Sequence, residues 1–349
     1  MNNPVILQQT RRAYSLITKM TGKIGGNSHG GAIYGEITML SMQKIVQIMK
    51  ECTNLGLGSR FIDVGCGLGK PNIHVALDPG VEFSYGIEMD ENRWVLGMNN
   101  LNICLQEAIE KGQSKQNEQL LHHCILEHGN IESAENFDPF THVYMFDVGF
   151  PPKLLNKLSE IYNRSQSKYL ICYHGEKDMI EKYGFDIELI VKVKTKMHGS
   201  RRSHTAYIYR RVSTKKNDSI DLITCNGIPC DDLFHDAWLK SKNGDLQSVY
   251  EGIKQQIMIA RQTSDSKRTN LQHTDLEQIP SLSLSKIKKK NGKSSLPATT
   301  NNQESPSIHS KGTSNIPNVD IRSMLSVQMF RLLLLLWIFQ FCYFLLCYL

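Results

Sequence analysis

Long hydrophobic runs are scarce in most of this sequence. None lies in the opening stretch MNNPVILQQTRRAYSLITKM, so no secretory leader is expected there. Tryptophan occurs three times and proline eleven times, which excludes collagen-like and proline-rich chains. The nine cysteines are odd in number and scattered, mostly inside apolar runs, which excludes a disulfide scaffold and points to a reducing, intracellular compartment. Cys225-x4-Cys230-x4-His235 has the look of half a metal site but no fourth ligand, so no metal is expected. A nucleotide phosphate loop is missing too, because Pro71 follows Lys70 where Ser or Thr would reach magnesium. With an apolar share of 40% and a charged share of 21%, the 349 residues still suffice for a sizeable folded core plus less ordered chain.

What is present is an alternation. Short β-branched or aromatic runs at 61–64, 83–88, 124–127, 143–147 and 169–173 read as strands. Helix-compatible stretches at 71–77, 90–111, 152–163 and 176–183 separate them. Such spacing predicts βαβ units around a mostly parallel sheet. Two longer strands, 185–196 and 205–210, follow without a helix between them and predict an antiparallel hairpin. The fold class expected is therefore α/β: a doubly wound, mostly parallel, seven-stranded sheet ending in an antiparallel C-terminal hairpin.

The organisation expected is a helical or lid segment over 1–54, the α/β domain over 55–211, and a partly helical extension over 212–263. A basic linker without order follows over 264–325, then a hydrophobic segment over 328–349. From Leu332 to Leu349 the chain is apolar apart from Gln340; as a helix at ~1.5 Å per residue its 18 residues would reach ~27 Å, close to a bilayer core. A tail anchor with the enzyme on the cytoplasmic side is one expectation, and a helix buried by a partner is the other. The basic run KIKKKNGK in the linker points instead to the nucleus, so the compartment stays open between the two. Seven basic and no acidic residues lie between Lys192 and Arg211, a face for nucleic acid or simply a solvated hairpin.

The chemistry is concentrated in Asp63-Val64-Gly65-Cys66-Gly67-Leu68-Gly69, at a strand-to-helix junction. Glycines there allow a tight turn and close backbone approach, and the helix start presents amides to an anionic ligand end. Glu88, 19 residues beyond Gly69 at the end of the next strand, is placed to accept hydrogen bonds from ribose hydroxyls. The loop lacks the third glycine of G-x-G-x-x-G, so an S-adenosylmethionine site fits it better than a dinucleotide site. Asn130 and Ile131, after the third strand, are candidates to hold adenine. Asp147 and Phe150, in the DVGFPP loop after the fourth strand, are candidates for the transfer site, with Phe150 as a wall and Asp147 orienting the acceptor or the donor.

Tyr34-Gly35-Glu36, then DVGCGLG, then Tyr85-Gly86-Ile87-Glu88, then a Phe-Pro loop, together resemble the Dot-one-like, non-SET histone-lysine methyltransferases over roughly residues 22–152. The resemblance implies S-adenosylmethionine as cofactor, a protein substrate such as histone or nucleosome, and Tyr34 and Glu36 in a loop that covers the cofactor. It places Asp63, Gly65 and Gly67 against the methionine part, Glu88 on the ribose, and Phe150 along the lysine channel; Gly69 is counted with the cofactor-binding candidates, and Tyr34 and Asp147 with Phe150 as catalytic candidates. Three departures stand out: Lys70 replaces a usual Gln, Asn130 a usual Asp, and FDVGF the paired-Asn loop NNFAF. Two other readings remain: a nucleic-acid or small-molecule N-methyltransferase, although F-P-P-K departs from the [DNS]-P-P-[YFW] loop of base methylation, and a silent, membrane-tethered adapter.

Overall fold

A computed structural model describes residues 5–22, 35–111, 119–200, 202–212, 224–225 and 227–276. The chain divides into two units, Met1–Pro280 and Ser281–Leu349, and every described residue belongs to the first. The expected tail segment, most of the basic linker and Tyr34 lie outside the described residues. Among the described residues, no helix is long and apolar enough to cross a membrane.

The strands are β1 (Arg60–Val64), β2 (Phe83–Glu88), β3 (Cys124–His128), β4 (His142–Met145), β5 (Tyr169–Cys172), β6 (Ile187–Lys196) and β7 (Ser203–Arg211). They form one sheet in the order β3-β2-β1-β4-β5-β7-β6. The first five run parallel, and β7 inserts antiparallel between β5 and β6. The doubly wound sheet with its antiparallel hairpin is thus observed. β1 and β2 are buried almost throughout because both of their faces are covered, as expected of parallel strands inside a sandwich of helices.

The helices are α1 (Gln8–Thr21), α2 (Met39–Thr53), α3 (Lys70–Leu77), α4 (Glu91–Glu110), α5 (Pro152–Arg164), α6 (Asp232–Asn243) and α7 (Leu246–Leu276). Local chemistry sets several of their ends. Thr38 caps α2 through Ser41 N, Asp90 caps α4 through Arg93 N, and Pro152 opens α5, where a missing N–H costs nothing. α2 stops at Asn54, which adopts the left-handed conformation at φ 54°.

Three expectations need adjustment. The fourth strand ends at Met145 rather than at 147, and Asp147–Gly149 is a 3-10 turn. The segment from 232 onward is more than an extension of a domain ending at 211, because Phe234 and Trp238 of α6 are fully buried against the sheet. Trp238 packs 5.2 Å from Phe83, and Phe234 lies 5.0 Å from Phe140 in an edge-on contact. Finally, α7 runs to Leu276, past the end expected at 263 for the partly helical extension; from Ile253 to that point no Gly or Pro interrupts it.

The strand order reverses between β2-β1 and β4, so β1 and β4 are neighbours whose crossovers leave on opposite sides. The crevice outside their carboxyl ends is where ligands bind in open α/β sheets.

Candidate active site

The loop leaving β1 is held in a conformation only glycine adopts freely. Gly65, Gly67 and Gly69 all have positive φ, at 74°, 53° and 72°. Gly65 N and Cys66 N both donate to Ile87 O, at 2.9 and 3.1 Å, folding the loop over the end of β2. Gly67 N donates to Glu88 Oε2 at 2.8 Å, and Asp90 N donates to Glu88 Oε1 at 2.9 Å. The carboxylate of Glu88 is therefore fixed on two backbone amides, one from the glycine loop itself. Each oxygen keeps a lone pair for a further donor.

Space around the loop is short. A Cβ on Gly65 would lie 3.4 Å from Phe150 Cζ, so the Phe150 ring stands over the start of the loop. A Cβ on Gly69 would come within 2.6 Å of Leu126 Cδ1. From the other side, Gly97 of α4 approaches so closely that a methyl there would meet the Gly67 carbonyl oxygen at 2.9 Å.

Charge is dense and buried. Asp63 and Glu88 are both buried, and the Asp63 carboxyl is held well above the ordinary value, first by burial and then by the Glu88 charge. The Cys66 thiol is pushed up in the same way, by burial and then by Asp63 and Glu88, which keeps it protonated and inert. Glu36 Oε2 accepts from Lys70 Nζ at 2.5 Å, with side chains only 2% and 6% exposed. A cavity opens between these groups, lined by Gly35, Glu36, Asp63, Gly65, Lys70 and Phe146 among others.

The other expected residues are placed as follows. Ile131 is buried, whereas Asn130 is exposed and its Oδ1 caps the short turn Ile131–Ser133 through Glu132 N at 3.0 Å. Asp147 is not open to a donor or an acceptor, contrary to the expectation that it touches one. It is fully buried; its Oδ1 accepts from Tyr173 N and its Oδ2 meets His174 Nδ1, both at 2.7 Å. A carboxylate this close to β5 is drawn inward by an amide and an imidazole that only the sheet order brings near.

Reading the sequence missed four members of the site. Phe146 packs edge-on against Tyr173 at 4.8 Å and against His204 at 5.8 Å, and it crowds Gly35, where a Cβ would lie 2.6 Å from its Cε1. Met89 is 70% exposed beside Glu88, an apolar side chain at the mouth of the crevice. Lys70 was noted as a departure but not as the partner of Glu36. His174 had one available signal, a titratable residue one step beyond the strand that neighbours the DVGF loop.

The basic hairpin is partly neutralised. Lys192 pairs with Glu176 at 3.4 Å and Arg210 with Glu188 at 2.5 Å, while the Arg211 guanidinium donates to the carbonyls of Tyr162, Asn163 and Ser165.

Residues 27–168 match the family model described as histone methylation protein DOT1. The chain resembles DOT1 and has the class I S-adenosylmethionine-dependent methyltransferase fold. No curated relative matches it. Among solved structures it is similar to magnesium protoporphyrin IX methyltransferase from Synechocystis with bound S-adenosylmethionine, at 12% identity and a TM-score of 0.35, over 61% of this chain and 100% of that one. It is also similar to an RNA methyltransferase from Salinibacter ruber in complex with S-adenosyl-L-homocysteine, at 18% identity and a TM-score of 0.34, over 50% of this chain and 95% of that one.

Proposed function

We propose that this protein transfers a methyl group from S-adenosylmethionine to a protein lysine, with histone as the first candidate. The observation that carries the cofactor part is Glu88, a buried carboxylate tied to the glycine loop and still able to accept from two vicinal hydroxyls. The match to DOT1 over residues 27–168 favours lysine over nucleic acid or a small molecule.

The residues present fit the cofactor. The alternating positive-φ glycines at 65, 67 and 69 keep the bend open, and a Cβ on Gly65 would already meet the Phe150 ring. The buried Lys70–Glu36 pair offers one cation and one anion, complementary to the carboxylate and ammonium of a methionyl end. Met89 and Ile131 supply apolar surface for an adenine ring, in place of the usual acidic contact that Asn130 does not provide. When bound, the cofactor supplies an electrophilic methyl on a sulfonium.

The chain then has to align an acceptor within ~3–3.5 Å of that methyl and to lower its solvation. Phe150 over Gly65 and Phe146 beside Gly35 form aromatic walls suited to an alkylammonium stem entering from solvent. Burial between such rings lowers the pKa of a lysine from ~10.4, easing the loss of its proton. Tyr34, beside the described Gly35, belongs to this reading as part of the covering loop.

The test uses the full chain, since α6 and α7 complete the core. It is incubated with radiolabelled S-adenosylmethionine and, separately, nucleosomes, free core histones and RNA. Label on histone lysine supports the reading; label only on RNA replaces it with nucleic-acid methylation. Binding without transfer to any of them favours the silent adapter.

A further inference from the structure

The buried Asp147 leaves a question about the group it holds. His174 Nδ1 is 2.7 Å from Asp147 Oδ2, while its Nε2 has no hydrogen-bond partner among the described residues. Its side chain is 27% exposed, against 0% for Asp147. A carboxylate that fixes one ring nitrogen as the N–H donor presents the other as a lone-pair acceptor, the arrangement by which a histidine is oriented as a base. The rest of the histidine is also fixed: Tyr209 Oη donates to the His174 carbonyl at 2.9 Å, and Cys172 Sγ approaches the same oxygen. The turn that carries Asp147 delivers Phe150 onto Gly65 three residues later, so the imidazole is anchored to the same turn that walls the channel.

We propose that His174, oriented by Asp147, is the general base that takes the proton from the acceptor nitrogen. This rests on the methyltransferase reading above. The acceptor ammonium gives one N–H proton to Nε2, and its freed lone pair forms the N–C bond while the methyl–sulfur bond breaks and its electrons remain on sulfur. The imidazolium, stabilised by Asp147, later returns the proton to water through its exposed edge. Asp147 is a positioning residue in this scheme.

The groups facing the ring agree with such a role. Asp147 comes from the turn after β4, Asp178 and Lys182 from the π-helical turn Lys177–Lys182, and Tyr183 from its end, while Cys172 of β5 and Tyr209 of β7 hold the backbone carbonyl rather than the ring. Asp147 raises the histidine above its ordinary value, chiefly through the hydrogen bond, with Asp178 adding and burial and Lys182 opposing.

Two readouts test the proposal on the full chain. The first needs no turnover: an NMR titration of His174 should give a value above that of free histidine, and Asp147→Asn should bring it down. The second is histone methylation with nucleosomes and labelled cofactor as a function of pH. The wild-type kcat/KM should fall on the acid side as His174 protonates. His174→Gln should bind the cofactor normally, lose about 10²-fold or more in kcat, and lose that acid limb. Imidazole added to His174→Gly should restore part of the rate. A His174 that titrates at or below the ordinary value, or a His174→Gln enzyme with wild-type rate and profile, overturns the base. A wild-type enzyme that binds cofactor but transfers nothing to nucleosomes removes the reading beneath it, and the base falls with it. Absence of cofactor binding removes the reading at an earlier step.

Discussion

Replacing Lys70 by methionine isolates the energetics of the crowded carboxylates around the glycine loop. Lys70 and Glu36 form a buried pair at 2.5 Å, and the buried Asp63 lines the same cavity. Removing the ammonium leaves Glu36 as a buried, uncompensated carboxylate in the cavity that Asp63 also lines. Breaking a buried pair from one side costs about 3–5 kcal/mol, a large part of the 5–15 kcal/mol typical of a domain. Lys70→Gln, which restores the residue usual in DOT1-like chains, keeps a donor toward Glu36 and is expected to cost about half as much. The double variant Lys70→Met/Glu36→Met removes both charges and should be more stable than Lys70→Met alone, giving a coupling of about 2 kcal/mol or more. The assay is urea unfolding of the full chain at pH 8 and pH 5. The Lys70→Met deficit should shrink at the lower pH, because the orphaned carboxyl then takes up a proton. A Lys70→Met chain within 1 kcal/mol of wild type at pH 8, or two single effects that simply add, would refute the reasoning.

Three further outcomes follow from the same geometry. Gly97→Ala places a methyl 2.9 Å from the Gly67 carbonyl, so it should move the loop and weaken cofactor binding by tenfold or more, measured by calorimetry, with only a modest loss of thermal stability. His74 and His142 are buried and neutral, held down to about 4 and about 3, in both cases first by burial. The unfolded chain binds protons at ~6.5, so stability present above that pH is lost as pH falls toward 4, by a few kcal/mol for each histidine. Asp138, raised to about 6 by burial, works in the opposite direction between about pH 6 and 4 and only partly offsets the loss. Denaturant midpoints at pH 7.5 and 4.5 check this, and His74→Gln, which keeps an acceptor and donors near Gln43 and Tyr14, should flatten the slope. Glu36→Gln should weaken binding of S-adenosylhomocysteine more than that of 5′-methylthioadenosine, which lacks the amino-acid end; equal effects on both would place Glu36 elsewhere.

Much of the fold was legible because its signals are local. Buried parallel strands such as FIDV and FSYGIE show as short apolar runs, and Asp90 and Pro152 mark helix starts within a residue. The glycine loop and Glu88 were legible for the same reason, since strand, turn and acidic terminus follow one another along the chain. What stayed hidden depends on neighbours distant in sequence. Asp147 points inward because β5 lies beside β4 and offers Tyr173 N and His174. Lys70 and Glu36 are 34 positions apart. Gly97 reads as an ordinary helical glycine until α4 is laid against the loop. The region from 232 onward looked peripheral because it is polar on average, yet Phe234 and Trp238 alone suffice to dock α6 on Phe83 and Phe140.

The account stands most directly on a titration calorimetry experiment with the folded full chain, S-adenosylmethionine and S-adenosylhomocysteine. Both should bind, and Glu88→Ala should weaken both by tenfold or more through loss of the ribose contacts while the protein remains folded by circular dichroism. A folded wild-type chain that gives no heat with either compound, or a Glu88→Ala chain that binds both as tightly as wild type, would contradict it.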